Sequence, residues 1–177
     1  MKESPQTKQL EEILRSSKMV AGGFLGSDRR SLPEIIEDDM AEVAKSGFSI
    51  EQITTRMKEI TNAAILGLGN WVLIPFRGMQ AITTDVVTIT EHTTTKEEQA
   101  ATHELKTRVE EAKGSLVCPW PHPGRFAKRV TEVQLIKTGE NIMWSDLNIH
   151  MIQEHGFFEG KGSNFRIEPN ELIKIIF

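Results

Sequence analysis

The chain has 177 residues, a single cysteine and a formal net charge of −4. That length suits one domain of ordinary size, or a domain with a helical appendage, able to bury roughly 70% of its unfolded surface without staples. A lone thiol excludes an intramolecular disulfide framework and fits a reducing compartment, and the acidic balance lacks the overall electrostatic footprint of a nucleic-acid binder.

The polar start MKESPQTKQLEEI has no apolar signal core, and no run approaches the roughly 18 apolar residues of a membrane span, so the expectation is a soluble cytoplasmic protein with no membrane contact. Three helices are expected before residue 67. Ser4 and Pro5 can open the first, with Leu10, Ile13 and Leu14 on one face and Gly22-Gly23 as a stop. Ser31-Leu-Pro-Glu34 has capping-box form, Ile35, Ile36, Met40, Val43 and Ala44 make an apolar stripe, and Gly47 ends the second. Ser49-Ile-Glu-Gln52 is another capping box, followed by Ile53, Met57, Ile60 and Ala64 until Gly67 and Gly69.

From Trp71 the composition shifts toward threonine and valine, which suit a pleated, half-buried surface. WVLIPF and AITTDVVTIT read as strands. Residues 95–113 carry two patterns at once, a capping box at Thr95–Glu98 with helical apolar spacing and a strict alternation over 104–110. The compromise is a helix to about His103 and a strand from about Glu104 into SLVCP. RVTEVQLI and NIMW then flank KTGE as a hairpin, and helices follow over Asp146–His155 and in PNELIKII. These elements predict an α+β fold, N-terminal helices packed on a small antiparallel sheet, with a helix and a glycine-rich loop near the C-terminus. The division is 1–66 helical and 67–177 α+β core, readable equally as one continuous domain.

Two stretches carry chemistry. GFFEGKGS resembles a phosphate loop only superficially: Gly156 and Gly160 have three residues between them where a P-loop needs four, Gly162 replaces the Mg-binding hydroxyl, and a helix precedes it. Cap and turn roles are the ordinary reading of these glycines, with Lys161 and Arg166 as candidate contacts for an anionic ligand or cofactor. On the preceding helix Asp146, His150 and Glu154 fall four apart, a carboxylate–imidazole–carboxylate ladder able to raise the imidazole pKa and fix its tautomer. They are the candidate catalytic residues, although three polar residues on one helical face more often make a solvated surface. His155, about 140° round from His150 on a regular helix, is not expected to share a metal with it.

The second stretch is CPWPHPGR. Three prolines fix φ and remove donors, so the segment is extended, stiff and unable to join the middle of a sheet. Cys118 and His122 within it, with His150 and Asp146 or Asp85, can assemble a zinc-type site whose fourth position is left to water. The competing readings are an inert cysteine, and a nucleophile activated by His122, His150 or Arg125. The helical pair over 33–66 has the shape of a helix-turn-helix, but its acidic face and the few cations Arg56 and Lys58 disfavour nucleic acid, even with Gln52, Thr54 and Thr55 as base readers. The expected function is therefore a binding or regulatory module for a small-molecule or anionic ligand. Self-association as a homo-oligomer is expected from the apolar stripes, with a small zinc enzyme or a DNA-binding protein as the alternatives.

Overall fold

The computed structural model describes residues 5–66, 72–74, 87–88 and 103–177. In chain order the elements are α1 (Pro5–Arg15), α2 (Leu32–Ser46), α3 (Ile50–Ile65), β1 (Val72–Ile74), β2 (Val87–Thr88), β3 (His103–Val117), β4 (Arg125–Leu135), β5 (Asn141–Ser145), α4 (Asp146–His155) and α5 (Pro169–Ile176). This is the expected α+β class. The proposed helix over 95–102, Gly67, Gly69, Asp85 and most of the two strand segments before β3 lie outside the described residues.

Local chemistry explains most boundaries. Glu34 and Gln52 each accept from the backbone N–H of the cap serine three residues earlier, at 2.8 Å in both cases, closing the capping boxes of α2 and α3. Ser145 and Asn148 make a third such box for α4. Helix α1 stops at Arg15, short of the expected glycines, because the chain folds straight back on it. Phe24 and Leu25 donate to the Leu14 carbonyl, and the Arg15 guanidinium takes the carbonyls of Asp28 and Arg30.

The sheet order is β2-β1-β3-β4-β5, with β3, β4 and β5 an antiparallel meander and β1 antiparallel to β3. Among the described strands, the edge pair of β1 with β2 is parallel. Over 104–110 the strand pattern prevails over the helical one. Leu105 and Thr107 are buried while Glu104, Lys106, Arg108 and Glu110 face outward, and β4 supplies a register that keeps this alternation.

Two apolar cores lie on the helical side. One joins Ile53, Met57 and Ile60 of α3 to Leu105, Val133, Trp144, Ile152 and the α5 residues. The other joins Leu14, Phe24, Leu25 and Ile35 to Leu147, Met151, Phe157 and Cys118. Both mix N-terminal and C-terminal residues, and α4 wedges between them, Ile149 and Ile152 in one and Leu147 and Met151 in the other. Each such fully buried side chain contributes roughly 1.5–3 kcal/mol. The α1 stripe is covered only in part: Leu14 is fully buried, Leu10 half-buried and Ile13 exposed.

The glycine-rich loop after α4 has a packing role. Gly156 adopts φ 61° as the C-cap, and a Cβ on Gly160 would lie 2.4 Å from the Leu25 carbonyl oxygen, so the 160–163 turn can lie directly on the 24–27 turn. The Lys161 backbone N–H donates to Asp28, fastening the two turns. No helix among the described residues is long and apolar enough to cross a membrane.

Candidate metal centre

The site is built where the stiff proline turn meets α4. Strand β3 ends at Val117, paired with Arg125, and Pro119 has no N–H with which to continue the ladder. The seven residues 118–124 therefore cross from β3 to β4 as an extended turn over α4. Cys118 is buried beside the second core. Trp120 lies flat on the His155 ring, with centroids 4.1 Å apart and planes 3° from parallel, and leans against Phe157. Beyond it, His122 reaches back toward the helix.

Cys118, His122, His150 and His155 each present a ligand atom, and these four atoms all lie within 4.8 Å of one another. His122 Nε2 is 3.0 Å from His155 Nε2 and 3.3 Å from His150 Nε2, and Cys118 Sγ is 3.5 Å from His155 Nε2. A tetrahedral zinc with bonds of about 2.0–2.1 Å to nitrogen and about 2.3 Å to sulfur has edges of roughly 3.3–3.6 Å. Three of the six separations, 3.0, 3.3 and 3.5 Å, are near that size, and the remaining pairs lie within 4.8 Å.

Proton placement sharpens the point. His122 Nδ1 is 3.1 Å from the Pro123 carbonyl oxygen, which can only accept, so Nδ1 carries a proton and the tautomer this selects turns a bare lone pair at Nε2 into the cluster. One N–H can satisfy that lone pair, yet two further Nε2 atoms crowd against it. A cation at the centre satisfies all three. Burial, followed by the neighbouring imidazoles, lowers the His155 pKa to about 4, and burial followed by His122 lowers that of His150, so both rings are neutral donors at pH 7.

Several expected site residues are elsewhere. Asp146 is absent from the cluster and instead accepts from Arg129 at 2.9 Å, because β4 brings that guanidinium to the first turn of α4. The ladder accordingly fails to raise His150: its burial and the adjacent imidazole outweigh Glu154, which is exposed one turn on. Arg166 is consumed by Asp39, at 2.5 and 2.6 Å, by Glu168 and by the Glu159 carbonyl. Lys161 lies against the Asp28 turn rather than over the histidines. For Cys118, burial pushes the thiol pKa up, the reverse of what a free nucleophile requires.

In the helical pair Gln52, Thr55 and Lys58 are exposed while Thr54 and Arg56 are buried. Arg56 is buried and donates to the Ile176 carbonyl, Gln52 caps α3, and the buried Thr54 hydroxyl bonds the Ile50 carbonyl.

His155 is the member of the cluster that helical spacing argued against. Five positions on a regular helix give about 140° of rotation and about 7.5 Å of rise between Cα atoms, but the imidazoles extend well beyond the Cα trace and their ring atoms close that gap. The His150 and His155 centroids are 5.4 Å apart, with His122 meeting them from outside the helix. The available signal was compositional: three of the five histidines and the only cysteine occur in the proline turn and this helix.

No protein-family model, curated protein or solved structure matches this chain.

The site also borders a cleft. Its lining includes Lys58 and Thr61 from α3, Phe126 and Arg129 from β4, and Ile149, His150 and Gln153 from α4. Phe126 stacks on the His150 ring at 4.3 Å, so His150 is shared between the cluster and the cleft.

Proposed function

We propose that the protein is a zinc-dependent binding or regulatory module, in which one Zn²⁺ held by Cys118, His122, His150 and His155 fastens the β3–β4 turn to α4. The convergence of one thiol and three imidazole Nε2 atoms within 4.8 Å of one another, three of the pairs at 3.0–3.5 Å, carries the proposal. A soft sulfur with three imidazoles in that geometry favours zinc among common divalent ions. Four protein donors leave a tetrahedral ion no position for water, which favours a structural or regulatory metal over the hydrolytic enzyme also considered. The orientation of His122 by the Pro123 carbonyl is the kind of outer contact that fixes the tautomer of a ligating histidine.

Metal analysis of the purified protein tests this. About one zinc per chain is expected, and replacement by Co²⁺ should produce the visible absorption of a tetrahedral ion with a thiolate charge-transfer band, lost in Cys118→Ser. Protein that is isolated metal-free and takes up no added zinc at neutral pH removes the proposal.

A further inference from the structure

The cleft beside His150 has a volume of about 450 Å³, within the range of small-molecule sites. Two donors in it have no anionic acceptor among the described residues. With Nε2 turned into the cluster, Nδ1 is the one polar atom that His150 has left, and no group among the described residues accepts from it. A metal-bound histidine normally donates that second N–H to a carboxylate, a carbonyl or water. His122 does so to Pro123. Of the two carboxylates four positions from His150, Asp146 is held by Arg129 and the exposed Glu154 makes no hydrogen bond to the ring. The second donor is Lys58. It has no carboxylate partner among the described residues, and its ammonium rests on the neutral Gln153 amide oxygen. Between these donors, Phe126 and Ile149 add apolar wall.

Charge points the same way. A zinc ion with one thiolate and three neutral imidazoles carries a net single positive charge, so loading the metal makes the His150 wall of the cleft electropositive. Asp146 is neutralised by Arg129, and Glu154 is the remaining carboxylate on the lining.

We propose that this cleft binds a small carboxylate with an apolar body, one oxygen on His150 Nδ1–H and the other on Lys58, and that it does so when the neighbouring metal is bound. The inference rests on the zinc site, and the test keeps the two apart by measuring zinc content on the same sample. Benzoate is the probe, titrated into the zinc-loaded protein and followed by amide chemical shifts. Shifts are expected over residues 58–62 and 149–154, with the dissociation constant raised roughly tenfold in Lys58→Gln, as for loss of one charge-assisted hydrogen bond. Lys58 is exposed, so that variant keeps its fold. Absence of shifts at about 10 mM benzoate, undiminished binding by Lys58→Gln, or equal binding by metal-free protein overturns the proposal. Inorganic phosphate binding as tightly as benzoate overturns the assignment to an apolar carboxylate. Zinc-free protein signals failure of the metal site itself, whereas zinc-loaded protein indifferent to benzoate sinks the cleft alone.

Discussion

Replacing His155 with alanine separates the tertiary arrangement from the helical-wheel argument. His155 Nε2 takes part in two of the three short separations in the cluster, 3.0 Å to His122 and 3.5 Å to Cys118, so its removal opens the coordination shell rather than trimming its edge. Structural zinc sites hold the ion with roughly 10–16 kcal/mol at neutral pH, or about 3 kcal/mol for each of four donors. Loss of one donor should therefore weaken zinc by about two orders of magnitude. Asp146→Asn provides the contrast. Its carboxylate pairs with Arg129 at a partly exposed position, where such a pair contributes about 1 kcal/mol or less, and zinc affinity should be unchanged. Competition with a chromophoric chelator measures both. His122→Ala should show the same loss as His155→Ala, which guards against a local packing effect under Trp120. Wild-type zinc affinity in His155→Ala, or its loss in Asp146→Asn, would refute the four-donor arrangement.

Two further predictions concern the scaffold under the site. Glu159 is buried, accepts from Asn148 and interacts with Ser163, and burial raises its carboxyl pKa from 4.5 to about 7. Between those values the folded chain holds a proton that the unfolded chain has lost, so this group's contribution falls as pH rises from 4.5 to 7, by roughly 3 kcal/mol. Glu159→Gln keeps the contacts without the charge, and its stability relative to wild type, measured by urea unfolding, should climb across that window; a difference flat with pH contradicts the assignment. Asp39→Ala removes one of the two carboxylates that grip the buried Arg166, leaving Glu168, and should cost about 1–3 kcal/mol, lowering the urea midpoint at unchanged slope. A cost below about 1 kcal/mol would mean that the pair is as weak as a surface one.

The fold was legible where local chemistry and hydrophobic period agree. Capping boxes at Ser31 and Ser49, the KTGE hairpin and the Asp146–His155 helix are recorded in neighbouring residues, and the structure has them. Residues 104–110 show the opposite case. Both periods fit that stretch, and only pairing with β4 decides, because a strand's hydrogen bonds are made to residues distant in sequence. Arg166 was legible as a cation but not as a buried one, since its partner Asp39 is 127 residues away.

The sequence by itself determined the ingredients of the site: a proline-stiffened turn bearing Cys118 and His122, and a capped helix bearing His150 and His155. Tertiary structure decided which of them meet. Antiparallel pairing of β3 with β4 swings the turn over α4, and the two cores on either side of that helix set its rotation, so that the imidazoles face the thiol while Asp146 faces Arg129. A metal shell requires atoms within a few ångströms, and such distances depend on how whole elements pack rather than on spacing along the chain.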